Sequence, residues 1–203
     1  MTYHSQRRVN HPIVAIGTST GGPKALEYMI TNLPKDFPAP IVIVQHMPKG
    51  FTKSLAERLN HKSFLHVKEG EHGEVVEQGN VYIAPGSFHM KLSALGTKVM
   101  IELTKEAIYM GHRPSVNTLF QSLAALSFMD KYVVVLTGMG KDGAEGVTQI
   151  KERDTSAVII AESKETAIIN GMPQATIDTG LVTNVIPLDK IGKSLTDMIK
   201  RGY

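Results

Sequence analysis

The chain has 203 residues, of which 42% are hydrophobic and 20% charged, and it contains no cysteine, a composition that suits one compact domain and excludes a disordered chain or a coiled coil. The lack of cysteine also excludes a disulfide-bridged scaffold, a thiol nucleophile and a Cys-ligated zinc. The formal net charge is +3, but two of these charges belong to Arg7 and Arg8 and no Lys/Arg stripe follows, so we expect no nucleic-acid partner.

The first twelve residues are polar and end at Pro12, which predicts a tail or linker ahead of a domain spanning residues 13–203. No apolar run approaches the roughly 20 residues that a helix needs to cross a bilayer, and the N-terminus does not resemble a secretory signal. We therefore expect a cytoplasmic protein with no direct insertion into a membrane.

The first part of this domain predicts two strand–turn–helix units. The apolar run Ile13–Ile16 predicts a strand that ends in the glycine-rich turn Gly17–Gly22. A helix is predicted next, because apolar residues follow at the spacing of one buried helical face: Leu26, Met29, Ile30 and Leu33. The second unit has the strand Ile41–Val44 and a helix predicted to start at Ser54, with Glu57 completing a capping box.

The stretch from about residue 64 to residue 103 has a different pattern, in which short alternating runs are separated by turns. The runs are Val81–Ala84, Met90–Leu92 and Lys98–Ile101. Since alternation with a period of two is typical of strands exposed on one face, we expect antiparallel hairpins here.

The second half returns to helices and apolar strands. A helix is predicted over about residues 115–128, followed by the strand Tyr132–Leu136, the loop Thr137–Gly143 and a short helix. A further strand, Val158–Ala161, and a closing helix from Leu188 complete the pattern. Apolar strands alternating with helices predict an α/β fold, a doubly wound, mainly parallel sheet with helices on both faces.

Three side chains of complementary chemistry follow predicted strands: Ser19, His46 and Asp142. Because parallel strands end at the same edge of a sheet, we expect the three to converge there. An imidazole can take the proton of a serine hydroxyl and return it to a leaving group, while a carboxylate orients the imidazole. The turn Gly17-x-Ser19-x-Gly21 also favours a nucleophile, since small neighbours let the hydroxyl project at a helix N-terminus.

Other interpretations of these residues stay open. Gly17–Gly22 could cradle a phosphate in a nucleotide-binding module, although the P-loop motif needs Lys directly after its last glycine and Pro23 intervenes here. His46 alone could be structural, and Asp142 could serve only as the N-cap of the helix that follows it. The chain could also be a catalytically silent interaction domain.

A metal hydrolase would draw its ligands from a small set of residues: His46, His89, His112 and Asp142. None of them falls in a recognised ligand spacing, so we expect neither a metal nor another cofactor. His89 is expected on the surface of a hairpin. The remaining histidines are expected in solvated loops or in the tail: His4, His11, His61, His66 and His72.

Five blocks of sequence follow one another in a specific order: Gly17–Gly22, Val44–Pro48, Arg113–Val116, Leu136–Gly143 and Asn170–Pro173. In this order they resemble the CheB family, the chemotaxis receptor protein-glutamate methylesterases. The similarity extends over about residues 13–200, the length of a catalytic domain.

The resemblance implies an esterase that hydrolyses glutamyl methyl esters on the helical cytoplasmic part of methyl-accepting chemotaxis receptors and releases methanol. It also implies that the enzyme can deamidate receptor glutamines. By motif, Ser19 is the nucleophile, His46 the general base and Asp142 the group that orients His46. Met139 and Thr20 also match active-site positions of the family. We interpret Met139 as an oxyanion donor through its backbone, and the Thr20 hydroxyl as a group that helps to hold His46.

Two departures from the family pattern are visible. Position 117 is Asn where the family often has Asp, and the sequence assigns no role to Asn117 or to His112. The family usually carries an N-terminal receiver domain that covers the site, and twelve residues cannot supply one. The expectation is therefore either an excised catalytic domain or a free-standing member that is regulated in another way.

Overall fold

The computed structural model describes residues 11–202. Residues 1–10 of the predicted tail, with His4, Arg7 and Arg8, lie outside the described residues, and Pro12 already opens the first strand. The strands are β1 (Pro12–Thr18), β2 (Ile41–Gln45), β3 (His66–Glu69), β4 (Asn80–Ile83), β5 (His89–Leu95), β6 (Lys98–Thr104), β7 (Asp130–Val135), β8 (Val158–Glu162) and β9 (Asn184–Ile186). The helices are α1 (Gly22–Thr31), α2 (Phe51–Lys62), α3 (Val116–Ala124), α4 (Ala144–Arg153), α5 (Gly171–Ile177) and α6 (Leu188–Arg201).

Seven strands form one sheet in the order β3-β4-β2-β1-β7-β8-β9, and every pairing in this sheet is parallel. The chain first builds outward from β1 through β2 and then crosses to the other side of β1 to add β7. This reversal places a topological switch point at the carboxyl end of β1, which is where open parallel sheets form their sites. The predicted doubly wound α/β fold is confirmed.

The sheet is buried on both faces, which explains why its strands are apolar along their whole length. Side chains of α1, α2 and α6 pack on one face around Val14 and Ile16, and those of α3, α4 and the β5–β6 hairpin pack on the other around Ile13 and Ala15. Within the described residues, no helix combines the length and the apolar character needed to span a membrane.

The region from residue 64 to residue 103 is only partly as predicted. β5 and β6 pair antiparallel, but β3 and β4 join the main sheet in parallel, so the expected hairpin around Val81–Ala84 is wrong. The sequence does contain a sign of the parallel pairing, because a continuous apolar run that is buried throughout is formed by Val81, Tyr82 and Ile83. Such a run is typical of a parallel strand rather than of an alternating hairpin strand.

Two helix boundaries also differ from prediction. The second helix begins at Phe51, with Gly50 at its N-cap in a left-handed conformation (φ 88°), so the predicted capping box at Ser54 is wrong. The hydroxyl of Ser54 bonds back to the Gly50 carbonyl inside the helix. The helix α3 ends at Ala124, four residues before its predicted end, and has Ser115 as its N-cap.

Gly17 lets α3 approach the end of β1 closely. A Cβ atom at this position would lie only 2.3 Å from Val116 Cγ1, and one at Gly143 would lie 3.0 Å from the same atom. Both glycines therefore make room for the first residue of α3. The N-terminus of this helix is brought to the edge of the sheet where β1 ends.

We predict that Gly17→Ala destabilises the protein by about 1–3 kcal/mol, because an added methyl group overpacks the contact with Val116. Urea unfolding measures the change. Gly192→Ala is the matched control, since its nearest neighbour is the flexible Leu33 side chain at 3.2 Å and alanine favours the helix. Equal stability of the two variants would contradict the close approach.

Candidate active site

Two of the predicted residues lie side by side at the ends of neighbouring strands. The register pairs Thr18 with Gln45, so Ser19 and His46 are the next residues along β1 and β2. The His46 N–H donates to the Thr18 carbonyl at 3.1 Å, and the Ser19 N–H donates to the Thr137 carbonyl beyond β7 at 3.1 Å. The backbone of Ser19 is thereby held between β2 and β7.

The structure also brings His46 and Asp142 together, although 96 positions separate them in the chain. His46 Nε2 lies 2.7 Å from Asp142 Oδ2, and the two side chains are only 8% and 2% exposed. A short bond between an imidazole and a carboxylate, largely removed from water, is the arrangement by which an acid orients a histidine.

Asp142 is held by four donors. Oδ1 accepts from Ser115 Oγ at 3.0 Å and from the Asn117 N–H at 2.8 Å, while Oδ2 accepts from the Val116 N–H at 2.7 Å and from His46. The backbone donors are the first N–H groups of α3, which have no partner within their own helix. The alternative in which Asp142 caps the following helix is wrong, because Gly143 is the N-cap of α4 and the Asp142 carboxylate caps α3.

These contacts decide the charge on Asp142. Burial alone would raise the pKa of its carboxyl group, but the hydrogen bonds from His46, Asn117 and Val116 outweigh burial and lower the pKa below its ordinary value. The carboxylate is therefore ionised at neutral pH. It has no proton to donate, so the hydrogen of the 2.7 Å bond belongs to His46 Nε2.

The same bond fixes the tautomer of His46. With the proton on Nε2, the neutral imidazole carries its lone pair on Nδ1. This Nδ1 atom is buried and has no hydrogen-bond partner among the described residues. Among the described residues, no hydrogen bond joins His46 Nδ1 to the Ser19 hydroxyl. A long distance between a base and its nucleophile is common in enzymes without bound substrate. Nδ1 is the nitrogen that is free to act as a base.

Asn117 has a role that sequence reasoning missed. Its side chain is fully buried, and its Oδ1 accepts from the N–H groups of Gly143 and Gly146, both at 2.9 Å. Asn117 therefore caps α4 while Asp142, just before α4, caps α3. This reciprocal cap holds the two helix starts together, and its sequence signal is an asparagine in the first turn of α3.

The surroundings of Ser19 suit a developing negative charge. Gly138 lies against it, since a Cβ atom there would come within 2.9 Å of Ser19 Cβ. Among the described residues, the N–H groups of Met139 and Thr20 have no hydrogen-bond acceptor, so both are available as oxyanion donors. Met139 directly follows Gly138 and is 65% exposed.

Thr20 is not brought to His46 by its side chain. The residue is exposed, and within the described structure no hydrogen bond joins its hydroxyl to the imidazole. Its carbonyl instead accepts from Thr137 Oγ1 at 2.9 Å. Thr137 thus holds the chain on both sides of the nucleophile, since its own carbonyl accepts from the Ser19 N–H.

Glu162 holds Thr137 in place through a hydrogen bond, and the sequence analysis did not identify this residue. Its side chain is fully buried at the end of β8, where Oε2 accepts from the Thr137 N–H at 2.7 Å and Oε1 has no partner among the described residues. Burial in this setting raises the pKa of Glu162, and the bond from the Thr137 N–H only partly opposes the effect.

The competing interpretations fit the geometry less well. In the turn Gly17–Gly22, the N–H groups of Ser19 and Gly22 already donate to protein carbonyls, which leaves few donors for a phosphate. Within residues 11–202, no three His, Cys, Asp or Glu side chains cluster as metal ligands would. Sequence reasoning placed His89 on the surface, and this is wrong.

His89 is in fact 1% exposed, because β5 packs against α3 rather than lying in solvent. Both of its ring nitrogens contact backbone: Nε2 lies 3.0 Å from the Ala107 carbonyl, and Nδ1 accepts from the Ser115 N–H at 3.3 Å. This use of both nitrogens removes His89 from a ligand set. The other histidines expected in solvated loops or the tail are exposed where the structure describes them: His11, His61, His66 and His72. The expected loop position is wrong for His61, which lies in α2, and for His66, which opens β3.

An open cleft of about 240 Å³ lies beside His46, lined by residues 46–48 and 111–114. Large apolar side chains are exposed near the site, among them Met110, Met139 and Ile168. An open cleft suits a side chain presented by a large partner better than a small molecule enclosed in a pocket.

Comparison with known proteins gives a consistent result. The family model described as CheB methylesterase matches residues 14–195. A protein-glutamate methylesterase/protein-glutamine glutaminase of Halalkalibacterium halodurans is 52% identical over 93% of this chain and 54% of its own length, and one of Thermotoga maritima is 48% identical over 94% and 55%. The chain thus spans about half the length of the curated relatives it matches.

A solved structure agrees with these sequence matches. The crystal structure of the Thermotoga maritima CheB methylesterase catalytic domain superimposes with a TM-score of 0.88 at 48% identity. The overlap covers 94% of this chain and all of that one.

We predict that Glu162→Gln stabilises the protein at alkaline pH. Because the folded-state pKa of Glu162 is raised above its ordinary value of 4.5, the stability that its protonated form contributes is complete below that value and is lost as pH rises through the folded pKa. Glutamine mimics the protonated form, so the variant should exceed the wild type by on the order of 1 kcal/mol near pH 8.

Urea unfolding at about pH 5 and about pH 8 measures this difference. The exposed Glu165, three residues further on, gives the matched control Glu165→Gln, which should follow the wild type at both pH values. A constant difference between Glu162→Gln and wild type across this range would contradict the buried, titrating carboxyl group.

Proposed function

Because this chain belongs to the CheB methylesterase family, we propose that it is a serine hydrolase that removes methyl esters from glutamate side chains of chemotaxis receptors. The observation that carries the proposal is the buried bond of 2.7 Å between His46 and the ionised Asp142, at the strand end next to Ser19. Residues 13–203 form the catalytic domain, and the reaction needs neither a metal nor a cofactor.

The first half of the reaction is acyl transfer to Ser19. His46 Nδ1 takes the hydroxyl proton while Ser19 Oγ attacks the ester carbonyl of the substrate glutamate. The carbonyl oxygen becomes an oxyanion and receives hydrogen bonds from the Met139 and Thr20 N–H groups. His46 then returns the proton to the methoxy group, the C–O bond breaks, and methanol leaves an acyl-serine behind.

The second half restores the enzyme. Water gives a proton to His46 Nδ1 and attacks the acyl-serine through the same oxyanion site. His46 returns the proton to Ser19 Oγ, and the substrate is released as a glutamate side chain. With a glutamine substrate the leaving group is ammonia and the later steps are identical, so one site supports both methylesterase and glutaminase activity.

Asp142 acts through His46 in both halves. It keeps the proton on Nε2, which leaves the lone pair of Nδ1 to accept the hydroxyl proton of Ser19. When Nδ1 takes a proton, the imidazolium is stabilised by the carboxylate 2.7 Å away. Since four donors hold the carboxylate, it does not need to move during the reaction.

The partner is the helical cytoplasmic region of methyl-accepting chemotaxis receptors, which places the protein in the cytoplasm. Support comes from the names of the relatives and from the open cleft beside His46. A glutamyl ester on the surface of a helical bundle can enter such a cleft without leaving its helix.

We predict that Ser19→Ala lowers turnover by on the order of 10⁴ to 10⁶, because no acyl-enzyme can form. Methanol release from methylated receptor membranes measures the ester reaction, and ammonia release measures deamidation. The matched control is Ser54→Ala, an exposed serine of α2, which should retain full activity.

Labelling by a fluorophosphonate, followed by mass spectrometry, gives a second measurement on the same pair of variants. The wild type and Ser54→Ala should be labelled on Ser19, and Ser19→Ala should not be labelled. Methanol release by Ser19→Ala at the wild-type rate would refute the role of Ser19.

A separate prediction concerns Asp142→Asn, which should lower turnover roughly 10⁴-fold by allowing the wrong tautomer of His46. The variant also presents an amide hydrogen to the N-terminus of α3, so its stability is measured in parallel by urea unfolding. A loss below about tenfold in a folded variant would assign Asp142 to helix capping alone.

A further inference from the structure

A second histidine lies flat against the imidazole of His46. The ring centroids of His46 and His112 are 3.8 Å apart and the ring planes differ by 7°. Stacking covers one face of the His46 ring, while Nε2 at the ring edge reaches Asp142 and the buried Nδ1 has no hydrogen-bond partner among the described residues. The stack therefore competes with neither contact that the reaction requires.

The backbone that presents His112 is a tight and strained turn. The N–H groups of Tyr109 and His112 each donate to the other residue's carbonyl, at 3.1 and 2.9 Å. Between them Met110 and Gly111 both have positive φ angles, 49° and 88°. Positive φ at a residue with a side chain is uncommon and persists only where the surroundings enforce it.

The enforcing contacts come from the helices that also hold Asp142. Asn117 Nδ2 of α3 donates to Met110 Sδ at 3.6 Å, and the Tyr109 hydroxyl donates to Glu145 Oε2 of α4 at 2.7 Å. On the other side of the turn, an Arg113 guanidinium nitrogen donates to the Glu106 carbonyl at 2.9 Å. The turn is thus tied to the same reciprocal cap that positions the carboxylate.

We infer that His112 is a positioning residue whose ring stacks on His46 and holds the imidazole in the plane that joins Asp142 to Ser19. The reaction that His112 assists is the one proposed above, so that part of the inference rests on the proposed function. The positioning of the ring is argued from the stack alone. A rotation of the His46 ring would break the bond to Asp142 and also the parallel stack, so the two contacts reinforce each other.

His112 remains uncharged while it does this. Burial and the neighbouring His46 lower the pKa of His112, and Asp142 opposes them only in part. A neutral π face against the ring attracts the imidazolium that forms when His46 takes a proton. A stacked cation would repel it.

The test compares His112→Phe, which keeps a flat ring, with His112→Leu, which fills a similar apolar space without stacking. For methanol release from methylated receptor membranes, we expect His112→Leu to lower kcat about three- to tenfold, the size of an aromatic pair. KM should stay within roughly twofold, since His112 orients the base rather than the substrate. His112→Phe should retain nearly full kcat.

Long-range ¹H–¹⁵N NMR spectra of the histidine rings give a readout that does not depend on activity. We expect one Nε2–H tautomer of His46 in the wild type and in His112→Phe, and an average of two tautomers in His112→Leu. Identical behaviour of the Phe and Leu variants in tautomer and kcat would overturn the inference. Failure of the proposed function is a different result, namely undiminished hydrolysis by Ser19→Ala.

Discussion

The site depends on the hydrogen bonds between one buried carboxylate and the N-terminus of one helix. The first N–H groups of α3 have no acceptor in their own helix, and the Asp142 carboxylate, in the loop after β7, accepts from them. These donors keep the carboxylate charged despite burial, and the charge in turn keeps a proton on His46 Nε2. The same carboxylate therefore caps α3 and orients the His46 imidazole. In the opposite direction, Asn117 of α3 caps α4.

The two ring nitrogens of the histidine have exchanged partners relative to chymotrypsin-type proteases. In those enzymes the acid binds Nδ1 and the serine faces Nε2, whereas here Asp142 binds Nε2 and Nδ1 is free. The proposed roles of the three groups are compatible with this orientation, because either nitrogen of an imidazole can be donor or acceptor. What must be conserved is a fixed ring plane, and the stack of His46 on His112 provides a second restraint on it.

Much of the fold could be predicted from the sequence because the central strands are apolar throughout, as at Ile41–Val44, and a single pattern identifies them. Convergence of Ser19, His46 and Asp142 on one edge followed from the rule that parallel strands end together. The contacts that hold them could not be predicted in this way. The bonds from Ser115 to His89 and from Gly143 to Asn117 each join residues 26 positions apart, and no local pattern reports such pairings.

The site is assembled from segments that lie far apart in the chain, and this has a consequence during synthesis. Asp142 leaves the ribosome 96 residues after His46, and α5, which packs behind Gly138, follows later still. Until β7 has inserted beside β1, the Asp142 carboxylate cannot reach His46. The contact between the two side chains therefore forms late in synthesis, once most of the polypeptide has emerged.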